Sequence, residues 1–252
     1  MSIYDELFQS SGKTGSGEDV FTGIVTGIVK ENYNKDFPGM LRVEIRTREK
    51  DSNVTHWAKI VSPYGGDERG IYFLPEVGDE VVIAYSHGDI NRPYVIGCVW
   101  NQKSSKMPKD VAVEKNYIKK IRTKRGHEII FNEEENKDDL EIHTPKELKV
   151  KLNDEKEVIF IQDKDGKNMI KIDAKNGAIN IKADKKIVLE SGSSKITIDG
   201  SGNKIAIASN TVQIEGKQAL NLKGQTAKLE GTSTEISGST GTTIKGATVK
   251  IN

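Results

Sequence analysis

The chain of 252 residues has one cysteine, Cys98, so it forms no intrachain disulfide, and no Cys or His stands beside it at metal-ligand spacing. A free cysteine usually behaves as a small buried apolar residue, and Cys98 is expected in a core. Aromatic residues make up 6% and apolar residues 35%, too little for one large single-chain core. An excess of one charge is missing as well. Lys and Arg (38) almost cancel Asp and Glu (37), which leaves no whole-chain field to gather nucleic acid or anionic lipid, and no composition of the disordered type. No stretch approaches the roughly 20 apolar residues of a membrane-spanning helix. The opening MSIYDELFQS is acidic where a signal peptide would be basic, so synthesis in the cytoplasm without a signal peptide is expected. Surface must be buried by something other than a large monomer core.

Residues 1–18 read as a flexible arm. Ser2 suits the cap of one helical turn, with Ile3, Tyr4, Leu7 and Phe8 at helical spacing, and SSGKTGSGED follows as a Gly/Ser linker. Residues 19–105 then alternate between β-branched strand patterns and turn residues. VFTGIVTGIV, LRVEIRT, WAKIVSP, GDEVVIAY and YVIGCVW are strand-like, while PG, YGGD, GD and NRP mark turns. Five or six strands in this length predict a five-stranded Greek-key barrel of the OB type, which removes its edges by closure. Pro75 suits a strand entrance, Gly78 and Asp79 a turn, and Val81 with Ile83 face one side while Val82 and Ala84 face the other. His87, Gly88 and Asp89 place an imidazole near a carboxylate, but no nucleophile accompanies them, and side chains bonding turn backbone are the expected arrangement. Arg92 is expected in a local ion pair, and Trp57 and Trp100 in strands as anchors.

Residues 106–116, with Pro108, form a connector, and 117–252 change character. HEIIF and DLEIHT begin short strands. Then units such as MIKIDAKNG, KITIDGSGN and TAKLEGT carry two inward candidates one residue apart, followed by a turn. The second members are Ile172, Ile181, Leu189, Ile198, Ile207, Ile214, Leu222, Leu229, Ile236, Ile244 and Ile251, seven to nine residues apart. A coiled coil needs apolar spacings of three and four, so this alternation with recurrent glycine excludes it. A single-chain β-helix needs about 20 residues per coil, whereas each unit here supplies one side. Three chains contributing one side per layer would enclose a triangular core, with the second members facing the shared interior. The expected fold is therefore all-β, an OB barrel followed by an intertwined trimeric β-helix, a triangular prism of about 15 layers and roughly 70 Å.

The run FLPEVGDEVVIAYSHGDINRPYVIGCVWN, Phe73 to Asn101, with FTGIVTGIVKENYNKDFPGMLRVEI upstream, resembles the OB segment of phage baseplate V proteins and of the VgrG spikes of type VI secretion. The resemblance covers residues 20 to 101 and rests on a VGDEV-hydrophobic run followed by HGD-x-x-RP. It implies a structural spike at the end of a contractile tail tube that punctures the target envelope on sheath contraction, with no enzyme activity and no cofactor. It also implies a separate hub protein, because no large hub domain precedes the barrel here, and assembly into a phage tail or tail-like particle. Spikes of this kind without a histidine-bound metal apex are sharpened by a small PAAR-type tip protein. No histidine follows His143, so no metal is expected at the end, and Val249, Lys250, Ile251 and Asn252 form the expected platform for such a partner.

Two other function classes compete. A carbohydrate-active β-helix, or a tail-fibre-like binding protein, needs aromatic platforms beside paired carboxylates, and residues 175–252 contain no Trp, Tyr, Phe or His. The run Glu133, Glu134, Glu135 with Asp138 and Asp139 reads as a solvated turn, and His127 and His143 stand alone in strand patterns. An OB barrel that binds nucleic acid would stack bases on aromatic side chains over a basic groove. Tyr72, Tyr85 and Tyr94 are available, but charge balance argues against that partner.

Overall fold

The computed structural model describes residues 11–13, 19–21, 23–46, 53–103 and 105–250. The expected helical turn with Ile3, Tyr4, Leu7 and Phe8 lies outside them. β1 (Ser11–Lys13), within the expected linker, pairs antiparallel with β2 (Asp19–Phe21). The barrel is built from β3 (Ile24–Glu31), β4 (Met40–Glu44) and β5 (Ala58–Ile60). A small hairpin, β6 (Gly65–Gly66) with β7 (Arg69–Gly70), follows, and then β8 (Glu80–Tyr85) and β9 (Pro93–Cys98). Strand order β3-β4-β5-β9-β8 closes on itself, all neighbours antiparallel except β5 and β9. Closure pairs every strand on both sides, so no edge is left to template aggregation.

Period-two alternation fills the interior. Val81, Ile83 and Tyr85 of β8 meet Val29, Leu41, Val43, Ile45, Ala58 and Val95, and Leu74 and Ile90 pack against this cluster. Gly27 faces inward, and a Cβ there would stand 2.6 Å from Val43 Cγ1 and 2.7 Å from the Glu44 carbonyl oxygen, so the two strands approach through the missing side chain. Thr55, also buried, accepts the Val43 N–H at its hydroxyl (3.1 Å) and donates its own N–H to the Val43 carbonyl (2.9 Å).

The turns follow the sequence closely. Glu76 and Asp79 close theirs reciprocally, the Asp79 carboxylate accepting the Glu76 N–H (2.9 Å) and the Glu76 carbonyl accepting the Asp79 N–H (3.0 Å). Ser86–Gly88 is a single 3-10 turn, Asp89 accepts the Asn91 N–H (2.9 Å), and Arg92 pairs with Asp89 at 3.5 Å. Three expectations are corrected. Cys98 is exposed: the register of β9 shifts at Ile96, which interrupts the alternation set by Pro93 and Val95, and Cys98, opposite Val81, is the last residue of the strand. Trp57 precedes β5 and stacks on Phe37 (5.7 Å between ring centres), and Trp100 lies exposed beyond β9, so neither is in a strand.

Residues 117–208 are strands joined by short reversals. Seven form one sheet in sequence order: β10 (Ile118–Arg122), β11 (Glu128–Asn132), β12 (Asp139–His143), β13 (Lys149–Asn153), β14 (Val158–Gln162), β15 (Met169–Asp173) and β16 (Ala178–Lys182). A second sheet holds β17 (Lys186–Ser191), β18 (Ser194–Asp199) and β19 (Lys204–Ala208), antiparallel and again in sequence order. Within each of these two sheets every strand pairs with the next strand of its own chain. The reason lies in the connections. Each hairpin holds one residue in the left-handed region: Gly126, Asn136, Glu147, Glu157, Gly166, Gly177, Gly192 and Asn203, with φ between +45° and +89°. Such a residue lets a short connection turn the chain back on itself. Residues 209–250 contain no strand. The chain divides into compact units at 1–181 and 182–252.

Leu41→Ala empties a fully buried site between β4 and its neighbours, and about 2–5 kcal/mol of barrel stability should be lost. Urea unfolding followed by tryptophan fluorescence measures it, and a midpoint equal to the parent's would disprove the core assignment.

Candidate assembly face

Alternation puts the odd and even positions of β10–β16 on opposite faces. On one face the column Phe131, Leu140, Leu152, Ile159 and Ile172 runs beside the column Ile121, Ile129, Ile142, Val150, Ile161 and Ile170. Ile179 and Ile181 repeat the spacing in β16. The second sheet has the same design, with columns Ile187, Ile198, Ile205 and Leu189, Ile196, Ile207 on one face. These side chains are uncovered in the single chain: Ile161 is 50% exposed, Ile181 53% and Ile207 53%. Burying an aliphatic side chain of this size contributes about 1.5–3 kcal/mol, so an uncovered face of this length calls for a partner surface.

The opposite face carries charge in a cross-strand pattern. Glu128, only 4% exposed, receives Lys120 at 3.0 Å, a close contact from Arg122, and His143 Nε2 at 3.5 Å. On the next strands Glu141 pairs with Lys149 (3.0 Å) and Lys151 (3.7 Å), and Lys151 with Asp139 (2.9 Å). His143 is therefore not alone, as its sequence setting suggested, but sits between Glu128 and Glu141. A two-residue slip would keep every aliphatic side chain on its face while mispairing these charges, so the ladder discriminates register where the apolar pattern does not. The acidic run is spread over separate partners, with Glu133 on Lys119, Glu134 on Lys137 at 2.7 Å and Asp139 on Lys151. Among the described residues no three His, Cys, Asp or Glu side chains group as metal ligands.

The expected interior residues fall into two groups. Ile172, Ile181, Leu189, Ile198 and Ile207 stand on the aliphatic faces of paired strands. Ile214, Leu222, Leu229, Ile236 and Ile244 lie exposed in the stretch without strands, as do Val249 and Lys250 of the expected platform, whereas Ile251 and Asn252 lie outside the described residues. The aliphatic columns of β11 and β12 and the Glu128 cluster were not picked out from the sequence. Their signal is present in the alternating charges of IKKIR, EIIFN, DLEIH and KVKLN, which become a ladder only once the strands are in register. Tyr85, one of three aromatic candidates for base stacking, is turned into the barrel core.

Residues 25–100 match the family model described as the type VI secretion system/phage-baseplate injector OB domain. The barrel is similar to an injector OB domain. Similar proteins include the type VI secretion system spike protein VgrG5 of Pseudomonas aeruginosa, 31% identical over 86 residues, 33% of this chain and 11% of the relative. VgrG4b of the same organism is 32% identical over 83 residues, 32% of this chain and 10% of the relative. The matched region thus spans about a tenth of these spike proteins' length, and the barrel resembles OB domains of the VgrG and baseplate V type.

Aspartates brace several turns of the sheets. Asp163 accepts the side-chain amide of Asn168 and the N–H groups of Asn168, Lys167 and Gly166, and these bonds hold its carboxyl below the ordinary value of 3.8. Lys171, then Asn176, do the same for Asp173, and the Gly202 N–H for Asp199. A depressed folded pKa adds stability that is complete above the ordinary value and disappears as pH falls through the folded value. Asp163→Asn should therefore destabilise the protein near pH 7, with the gap to the parent closing by about pH 2. Urea midpoints at the two pH values test this, and a gap independent of pH would contradict it.

Proposed function

We propose that this protein is the non-enzymatic central spike of a contractile injection machine, a homotrimer whose shaft is built from residues 117–252. The uncovered aliphatic faces of the two sheets, β10–β16 and β17–β19, carry the proposal. Three copies of such a wall, each turning its aliphatic columns inward and its charge ladder outward, enclose a filled triangular interior with polar faces to water. A cyclic arrangement closes and therefore stops at three. The injector OB domain supports the same reading, since the similar proteins that share it are named as spike proteins of type VI secretion. In this role the barrel sits under a separate hub protein at the end of a tail tube. The shaft points outward and passes through the target envelope when the sheath contracts.

Ladders of short strands suit that task. Each strand is held by the one before and the one after, so opening one layer costs the pairing of two. The reading predicts a particle of three chains in light scattering, and a well-folded single chain would refute it. Ile207→Asp would place three unpaired carboxylates in one interior layer, at several kcal/mol each before relaxation, and should abolish the trimer or sharply lower its melting temperature. Lys204→Glu, on the opposite face of β19, should leave both unchanged.

The far end of the shaft is the proposed seat of a PAAR-type tip protein, on Val249, Lys250, Ile251 and Asn252. Three strand ends with aliphatic side chains and unpaired backbone are a liability unless covered. Removal of residues 247–252 should abolish co-purification with the machine's tip protein while leaving the trimer intact. Undiminished capture by the shortened trimer would remove the platform from consideration.

A further inference from the structure

The barrel carries a polar cavity that has no part in the aliphatic walls. It has a volume of about 470 Å³ and is lined by Thr26 and Ile28 on the outer face of β3 and by Arg46, Glu80, Gln102 and Lys103. One wall is a short loop folded back after β9. Asn101 closes it, its Oδ1 accepting the N–H groups of Lys103 (2.8 Å) and Ser105 (3.2 Å) while its own N–H donates to the Ser105 carbonyl (2.6 Å). Ser105 Oγ accepts the Glu80 N–H (2.9 Å) and the Glu80 carbonyl accepts the Val99 N–H (2.9 Å), which pins the loop to the start of β8. Gln102 and Lys103 are thereby held at the cavity. Arg46 reaches it from another element, two residues beyond the end of β4.

Charge at this cavity is unbalanced. Other cations of the same strands are matched, Lys30 on Glu44 (2.8 Å) and Arg42 on Glu31 (3.0 Å), whereas among the described residues neither the Arg46 guanidinium nor the Lys103 ammonium forms an ion pair. Glu80, the one carboxylate among the lining residues, is bonded by the Asn101 side-chain amide. Two cations from separate elements therefore converge on a space with no free anion of its own, and a carboxylate placed there gains charge-assisted hydrogen bonds from both. We propose that this cavity binds an acidic peptide segment, whose carboxylates Arg46 and Lys103 receive and whose aliphatic stems lie on Thr26 and Ile28. The volume falls among sites for organic ligands, roughly 300–1,000 Å³, and exceeds what one inorganic anion fills. Ile28 adds apolar surface that only a ligand with carbon can use. Strand pairing places Arg46 toward the Ile24 end of β3, while Glu76, on Lys124 of the first shaft hairpin (2.9 Å), lies at the Glu31 end, where Asn32 Nδ2 donates to the Pro75 carbonyl (3.1 Å). Arg46 thus stands away from the shaft, and the proposal does not depend on the trimer reading.

Fluorescence anisotropy of a labelled tetraglutamate peptide, added to the full chain, tests the site. The parent should bind this peptide, more weakly as salt is raised, and should not bind a tetraglutamine peptide. Arg46→Glu and Lys103→Glu should each weaken tetraglutamate binding about tenfold or more, the loss of one contact between charged groups. Lys59→Glu makes the same change of charge at an exposed position of β5 outside the cavity and should leave binding unchanged. Arg46, Lys103 and Lys59 are exposed, so all three variants should melt with the parent. Equal weakening by the three variants would reduce the effect to overall charge and overturn the site, as would a parent that does not bind tetraglutamate. Displacement of the peptide by succinate or inorganic phosphate at equal concentration would assign the cavity to a free anion and overturn the peptide as its ligand.

Discussion

Everything beyond the barrel depends on one constraint: a strand's side chains alternate between two faces, and in each sheet two aliphatic columns share one face. A sheet of this kind has no second layer from its own chain to cover it, unlike the sandwiches and barrels in which most such sheets occur. The low apolar content is consistent with this. It suffices for one wall two columns wide, and not for the opposing layer that a monomer would require. What would be an exposed liability in a solitary chain becomes an interior when identical walls meet.

The two halves of the molecule manage strand edges in different ways. The barrel pairs its last strand with its first, joining β8 to β3, and needs no partner to satisfy its backbone. In each of the two sheets of the repeat, every strand after the first rests on the one before it. Its edge strands remain open, and where the left-handed turns stop, residues 209–250 show no backbone–backbone hydrogen bond among the described residues. Glycine serves both regions, but by different means. At Gly192 it supplies a positive φ that reverses the chain, and at Gly216 it supplies room for a carbonyl oxygen that presses on the Cα.

Charge has a local part in this architecture. Glu128, gripped by Lys120 and Arg122, is almost fully covered, and a buried pair of this kind is costly to break even where it adds little to stability overall. Its value lies in discrimination. An aliphatic face that repeats the same two columns through many strands offers near-equivalent registers, and the ladder of Glu128, Glu141 and Lys151 is satisfied in only one of them.

By itself the sequence determined the class of fold, the closed barrel with its turns at Gly78–Asp79 and Asp89–Asn91, and the two-residue rhythm that identifies the aliphatic face. These are local properties: a turn needs the right few residues, and parity along a strand needs no knowledge of its neighbours. Tertiary structure decided which strand lies beside which. The same I-x-I pattern fits a hairpin with its own predecessor or a strand wound between partners, and the difference rests on backbone angles at single positions such as Asn136 and Asn203. It also decided the Glu128 cluster, because residues from β10, β11 and β12 meet only after register is set. The exposure of Cys98 and Trp100 followed from their places at and beyond the end of β9, which composition does not reveal.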